Sequence, residues 1–173
     1  MKTVTLGKTN IITPQNAFGA LPVQRCDMET SVKILQRAYE GGMTFFDTAR
    51  LYSDSEEKLG NALTGNSEIR KKIFVASKTM AKSTDEMKAQ IETSLKNLKT
   101  DYLDIYQFHC ADRVFAPGDG SGMYELMEDF RSQGMIRHIG ITAHKIGVAE
   151  EAVKSGLYET LQFPFSYLSR ERE

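Results

Sequence analysis

The sequence has little of what marks several large classes of protein. Its 173 residues include only two cysteines, Cys26 and Cys110, which are too few for a disulfide framework or a zinc-binding pair. No apolar run approaches the roughly 20 residues that a membrane helix needs. The N-terminus also lacks the apolar segment of a signal peptide. We therefore expect a cytoplasmic protein that does not contact a membrane, and we expect Cys110 to be a small buried side chain.

The sequence also has no excess of charge of one sign. Its 22 basic and 23 acidic residues give a net charge of −1, and no basic stripe suggests binding to nucleic acid. His138 and His144 have no nearby carboxylate or thiolate that would complete a metal site, so we predict no metal. A hydrophobic content of 40% is enough to bury a core, and we expect one domain over residues 1–173.

What the sequence does have is a regular alternation of strand-like and helix-like segments. A turn over residues 7–10 predicts a β-hairpin between residues 3–6 and 11–13. Most of the later strand-like runs are rich in β-branched and aromatic residues, and several are apolar on both faces, as in a covered parallel sheet. These strands are predicted at residues 16–20, 44–48, 72–77, 102–108, 138–142 and 160–165.

Capping and stop signals place helices between the predicted strands. Helices are expected over residues 28–40, ending at Gly41, and over residues 55–63, where Ser53 and Glu56 form a capping box. Apolar stripes predict three more helices, and residues 168–173 resemble the first turn of a sixth. The stripes comprise Met87, Ile91, Leu95 and Leu98 after a second capping box at Ser83 and Glu86, then Met123, Leu126, Met127 and Phe130, then Val148, Ala149, Ala152 and Val153.

This alternation predicts an α/β fold with a parallel sheet and right-handed crossovers. Both an open doubly wound sheet and a (β/α)₈ TIM-type barrel have this pattern. No G-x-G-x-x-G follows the first strand, so the barrel is favoured. A complete barrel usually needs about 250 residues. We therefore expect an incomplete barrel of six strands, lacking strands seven and eight, with an N-terminal β-hairpin.

Four polar residues lie at or just after the ends of predicted strands, where α/β barrels carry their chemistry. These are Asp47, Tyr52, Lys78 and His109. A cation near a phenol stabilises the phenolate, so Lys78 is expected to lower the pKa of Tyr52 and make it a proton donor. Asp47 would hold the ammonium of Lys78, and His109 would orient a substrate carbonyl or share its proton with Tyr52. The set suits the reduction of a carbonyl, which requires a hydride and a proton.

The sequence resembles the aldo-keto reductase superfamily along essentially its whole length. Its Gly19–Arg25 stretch is similar to the branch whose members often carry a C-terminal iron–sulfur ferredoxin segment. Seven segments carry the family resemblance in order. They are Leu6-Gly7-Lys8-Thr9, Phe46-Asp47-Thr48-Ala49, Tyr52-Ser53-Asp54-Ser55-Glu56, Ser77-Lys78-Thr79, Asp101-Tyr102-Leu103-Asp104-Ile105-Tyr106, Gly134-Met135-Ile136-Arg137-His138-Ile139-Gly140 and Leu161-Gln162-Phe163.

The resemblance implies NAD(P)H-dependent reduction of aldehyde or ketone carbonyls, with NADP(H) favoured over NAD(H). It implies that Tyr52 is the general acid, assisted by Lys78, Asp47 and His109. Polar residues after the fifth strand and a glutamine on the sixth would bind the nicotinamide carboxamide, and His144 stands where the family commonly has an amide. The implied cofactor-binding residues are Gly19, Ala20, Thr142, Ala143, His144 and Gln162.

Two other functions are compatible with the same residues. The chain could be a catalytically silent fragment of a barrel, or a regulatory subunit that senses nucleotides without turnover.

An incomplete barrel would also leave its first and sixth strands unpaired, and unpaired strand edges are templates for association. We therefore expect self-association, with a small carbonyl compound as the other binding partner.

Overall fold

The computed structural model describes residues 2–166. It begins with an antiparallel hairpin of β1 (Thr3–Thr5) and β2 (Ile12–Pro14), as predicted. Thr9 holds the turn, because its hydroxyl donates to the carbonyl of Leu6 at 2.6 Å and accepts from the amide of Ile11 at 3.1 Å. The side chain of Thr9 thus adds to the backbone hydrogen bonds of the turn, which join Leu6 to Ile11 and Thr9 to Leu6.

Six parallel strands follow, and they pair in the order in which they occur along the chain. This confirms the predicted α/β fold, because six consecutive parallel strands linked by crossovers form part of a TIM-type barrel. The segment at 168–173, predicted to open a helix, lies outside the described residues. The strands are β3 (Phe18–Gly19), β4 (Phe45–Asp47), β5 (Phe74–Thr79), β6 (Leu103–Phe108), β7 (Ile136–Thr142) and β8 (Thr160–Gln162).

Helices connect the strands, and all five helices expected within the described residues are present. The helices are α1 (Met28–Glu40), α2 (Ser55–Leu59), α3 (Ser67–Arg70), α4 (Thr84–Leu98), α5 (Met123–Ser132) and α6 (Ile146–Ser155). The short helix α3 and a 3₁₀ turn at Leu21–Arg25 were not expected. The predicted helix 55–63 is α2 followed by a π-helical turn at Gly60–Thr64.

One predicted capping box is formed in part and the other is wrong. Glu86 accepts from the amide of Lys82 at 2.8 Å, one residue before the N-cap Ser83. Ser83 caps α4, since its hydroxyl accepts from the amide of Glu86 at 3.2 Å. At α2 the N-cap is Asp54, and Ser53 instead donates to the side chain of Gln24 at 3.3 Å. Glu56 does not turn back to cap the helix, because its carboxylate is fully buried in the protein.

The core lies on both faces of the sheet. Helices pack against the outer face through a large apolar cluster that includes Leu35, Ile91 and Met127, all fully buried. On the inner face, Ile11 of the hairpin packs with Ala76 of β5 and Ile105 of β6. Side chains alternate between the two faces of a strand, so an apolar strand such as β6 contributes side chains to the core on both faces of the sheet. The hairpin therefore covers one end of the barrel interior and leaves the carboxyl ends of the strands open.

Candidate active site

The four residues expected to act in catalysis lie together at the carboxyl ends of the strands. Asp47 ends β4, Lys78 is the penultimate residue of β5, and His109 directly follows β6. Tyr52 lies on the loop between β4 and α2. Since the strands are parallel and adjacent, their carboxyl ends meet at one edge, and residues from three connections converge there.

Lys78 and Asp47 form a buried ion pair. The ammonium of Lys78 donates to Oδ2 of Asp47 at 2.6 Å and to the backbone carbonyl of Thr48 at 2.8 Å. Only 2% of Lys78 is exposed. Burial lowers the pKa of Lys78, and the negative charge of Asp47 opposes this shift. Asp47 therefore keeps a cation in a position where burial alone would favour the neutral amine.

Tyr52 lies over this pair. Nζ of Lys78 is 5.0 Å from the centroid of the Tyr52 ring, and the ring of His109 meets that ring edge-on, with centroids 5.6 Å apart. Burial raises the pKa of Tyr52, and the charge of Asp47 raises it further. This direction is opposite to the one expected from the sequence. The ammonium of Lys78 is already bound by a carboxylate and a carbonyl, so its charge is largely compensated.

His109 is neutral near physiological pH. Burial, followed by electrostatic interaction with Lys78 and then with His144, lowers its pKa to about 4. Its Nδ1 is buried and has no hydrogen-bond partner within residues 2–166. A neutral imidazole beside the Tyr52 phenol can donate or accept a hydrogen bond without adding charge to the site.

A cleft of about 390 Å³ opens beside Tyr52 and His109. It contains four of the six predicted cofactor-binding residues. The other two, Gly19 and Ala20, do not line this cleft. Gly19 pairs in register with Asp47, and the amide of Ala20 donates to the carbonyl of Asp47 at 2.8 Å. The cleft is lined by Tyr52, His109, Cys110, Thr142, Ala143, His144, Gln162, Phe163, Pro164 and Phe165.

Backbone contacts hold the walls of this cleft together. The amide of Cys110 donates to the hydroxyl of Thr142 at 2.7 Å, and the amide of Ala143 donates to the carbonyl of Gln162 at 3.1 Å. Gln162 also borders the barrel interior beside Asp47. The loops after β6 and β7 and the end of β8 are therefore linked by hydrogen bonds.

Cys110 occupies a position that the sequence did not indicate. It is exposed, whereas a small buried side chain was expected, and its φ of 49° lies in the left-handed region. It borders both the cleft beside Tyr52 and a second cleft of about 340 Å³ on the other side of His109. The left-handed turn directs the chain away from the strand, so the thiol lies at the site rather than in the core.

A sequence profile of the Aldo/keto reductase family matches residues 14–173. The chain belongs to the aldo/keto reductase family. It is 29% identical over 159 residues to Aldo-keto reductase YhdN of Bacillus subtilis (strain 168), an alignment that covers 85% of the chain and 47% of YhdN. It is 37% identical over 122 residues to Methylglyoxal reductase YeaE of Escherichia coli (strain K12), covering 66% of the chain and 39% of YeaE.

A solved structure of this family has the same fold. An aldo-keto reductase from Klebsiella pneumoniae, in complex with NADPH, matches with a TM-score of 0.77 and 26% identity. The match covers 95% of this chain and 58% of that chain. The chain thus spans about half the length of the curated relatives it matches.

The cleft presents polar side chains that can donate and accept hydrogen bonds. These are the hydroxyl of Thr142, the imidazole of His144 and the amide of Gln162. Ala143 adds a small apolar surface. Within residues 2–166 no group of three or more metal-ligating side chains lies together, and no helix there is long and apolar enough to span a bilayer.

Proposed function

We propose that this chain carries the catalytic residues of an NAD(P)H-dependent reductase of small aldehydes and ketones. The observation that supports this best is the buried Lys78–Asp47 pair beneath Tyr52. Burying an ammonium costs free energy, and buried charges are found preferentially at functional sites. The ammonium of Lys78 lies beside the phenol that would lose a proton. Family membership supports the same reaction, and the name of YeaE supports a small aldehyde as substrate.

In the proposed mechanism, Thr142, His144 and Gln162 would hold NAD(P)H, which would supply the hydride for the carbonyl carbon. Tyr52 donates its phenolic proton to the carbonyl oxygen, so the product is an alcohol and the residue is left as a phenolate. The ammonium of Lys78 stabilises that phenolate, and Asp47 holds the ammonium in place. Neutral His109 orients the carbonyl by a hydrogen bond.

The raised pKa of Tyr52 is compatible with this role. An alkoxide that develops as hydride arrives is a stronger base than a phenolate, so the proton transfers without prior ionisation of Tyr52. A phenol that stays protonated throughout the neutral range is always in the form required for reduction.

The proposal also covers the cofactor contacts, the choice of cofactor and the organisation of the chain. Thr142, Ala143, His144 and Gln162 would hold the nicotinamide carboxamide, and Gly19 and Ala20 would lie beside the ring. NADP(H) is the favoured cofactor, and residues 1–173 belong to one barrel domain. Self-association through the outer strands β3 and β8 stays a prediction, which light scattering at micromolar concentration can test.

The first experiment is a fluorescence titration of the purified chain with NADPH and with NADH, followed by assays with methylglyoxal. We expect micromolar binding of NADPH. We expect Tyr52→Phe to lower kcat by about 100-fold or more while leaving the Kd for NADPH unchanged, because it removes only the proton donor. Tyr39→Phe, on helix α1, is the matched control and should behave as the parent does. Equal turnover by Tyr52→Phe and the parent would refute the proposed role.

A further inference from the structure

A second buried charge lies next to the proposed site and has no part in the mechanism above. Glu56, on α2, is fully buried, and Oε1 of its carboxylate accepts a hydrogen bond from the hydroxyl of Ser77 at 2.7 Å. Oε2 forms an ion pair with Nη1 of Arg50. A buried carboxylate is tolerated only when it is paired and hydrogen-bonded, and both conditions are met here.

The two partners of Glu56 come from the two segments that carry Tyr52 and Lys78. Ser77 directly precedes Lys78 on β5, and Arg50 precedes Tyr52 by two positions on the loop after β4. The amide of Arg50 also donates to the carbonyl of Lys78 at 3.1 Å. One carboxylate therefore joins the strand of the proposed cation to the loop of the proposed proton donor.

Arg50 extends this connection around the loop. Its Nη2 donates to the carbonyl of Ser53 at 3.0 Å, on the far side of Tyr52. Arg50 thus contacts the loop both before and after Tyr52, while Glu56 anchors its guanidinium. The backbone hydrogen bonds of Tyr52 itself close local turns. Its amide donates to the carbonyl of Ala49 at 3.0 Å, and its carbonyl accepts from the amide of Ser55 at 2.8 Å. Local turns shape the loop but do not fix its distance from β5.

We propose that Glu56 is a positioning residue that sets the placement of the Tyr52 phenol relative to Lys78, through Arg50 and Ser77. This rests on the proposed function of Tyr52. Proton transfer depends steeply on geometry, and a displacement of about 1 Å can cost a large part of the rate. Since Arg50 balances its charge, Glu56 can hold the loop without adding net negative charge beside the phenol.

The test uses Glu56→Gln, which keeps the shape of the side chain but removes its charge, and Ser77→Ala, which removes one hydrogen bond. Ser94→Ala is the matched control, because Ser94 is also fully buried but its hydroxyl has no partner within residues 2–166. Each variant is labelled with [¹³Cζ]tyrosine, and the NMR signal that disappears in Tyr52→Phe is followed from neutral to alkaline pH.

We expect the signal of Tyr52 and its titration midpoint to move in Glu56→Gln and in Ser77→Ala, and to stay in place in Ser94→Ala. Where turnover is measurable, kcat should fall by about tenfold or more with the Kd for NADPH unchanged. An unmoved Tyr52 signal in Ser77→Ala and in folded Glu56→Gln, even with lowered melting temperatures, would overturn the proposal. The NMR signal needs no turnover, so this result is separate from failure of the proposed activity.

Discussion

The ammonium of Lys78 lies 2.6 Å from the carboxylate of Asp47, across two neighbouring parallel strands. The exposed fractions of the two side chains are 2% and 14%. Water therefore screens the pair poorly, and the charge of Asp47 acts strongly on every ionisable group nearby. The same carboxylate opposes the burial that lowers the pKa of Lys78, and it adds to the burial that raises the pKa of Tyr52.

Replacing Asp47 with asparagine should lower the pKa of both groups. The substitution removes the negative charge that disfavours the Tyr52 phenolate and that favours the Lys78 ammonium. An ultraviolet titration of tyrosinate in the parent, in Asp47→Asn and in Tyr52→Phe isolates the Tyr52 transition. Asp27→Asn, at the exposed N-cap of α1, serves as the control and should not move it. A higher pKa of Tyr52 in Asp47→Asn would contradict this electrostatic account.

His109 should make the stability of the protein depend on pH below neutrality. Its pKa is about 4 in the folded state and about 6.5 in an unfolded chain. Above about pH 6.5 the imidazole is neutral in both states and contributes nothing. As the pH falls toward 4, only the unfolded chain takes up the proton, so the free energy of unfolding decreases.

The expected loss is on the order of 1–2 kcal/mol, since solvent reduces the effect of a partly exposed group. Urea unfolding of the parent and of His109→Gln at pH 7 and at pH 4.5 measures it. The glutamine variant does not titrate and should lose less stability over this interval. Identical losses in the two proteins would show that the imidazole is not held neutral by the fold.

Gly60 should not tolerate a side chain, although its φ of −57° suits any residue. A Cβ at this position would lie 2.1 Å from the backbone carbonyl oxygen of Asn97, near the end of α4. Because backbone cannot move aside cheaply, Gly60→Ala should lower the free energy of unfolding by about 3 kcal/mol.

The control for this substitution is Gly147→Ala in α6. A Cβ at Gly147 has no heavy atom within 4 Å, and alanine favours a helix by about 0.5–1 kcal/mol over glycine. Thermal unfolding of the two variants should therefore shift in opposite directions. If Gly60→Ala were as stable as the parent, the backbone at Gly60 would lie farther from the end of α4 than it does in this structure.

Cys110 provides a test of cofactor binding that does not depend on turnover. Its thiol is exposed at the cleft that contains the predicted nicotinamide contacts. We expect N-ethylmaleimide to modify Cys110 in Cys26→Ser, and we expect NADPH to slow the reaction by occupying the cleft. Mass spectrometry after timed quenching gives the rate. A rate that saturating NADPH does not change would place the nicotinamide elsewhere.

The sequence was sufficient for much of the fold because strand and helix signals are local. All six parallel strands overlap the ranges predicted for them, most of which are rich in β-branched and aromatic residues, and Ser83 caps α4 as expected. The positions of Asp47, Lys78 and His109 at strand ends follow from the same local pattern. Parallel pairing then necessarily brings those ends to one edge of the sheet.

Other features depended on contacts between distant segments. The Ser53–Glu56 pattern matches a capping box, yet Glu56 is buried against Ser77, 21 positions away, because β5 packs beside α2. Cys110 follows an apolar strand, but a left-handed turn exposes it. The pKa of Tyr52 rises because of burial and the negative charge of Asp47, both of which depend on the three-dimensional arrangement. The sequence alone placed Asp47, Lys78 and His109 at or near strand ends, whereas tertiary structure decided which charges are buried together, since burial depends on neighbours that are remote in the chain.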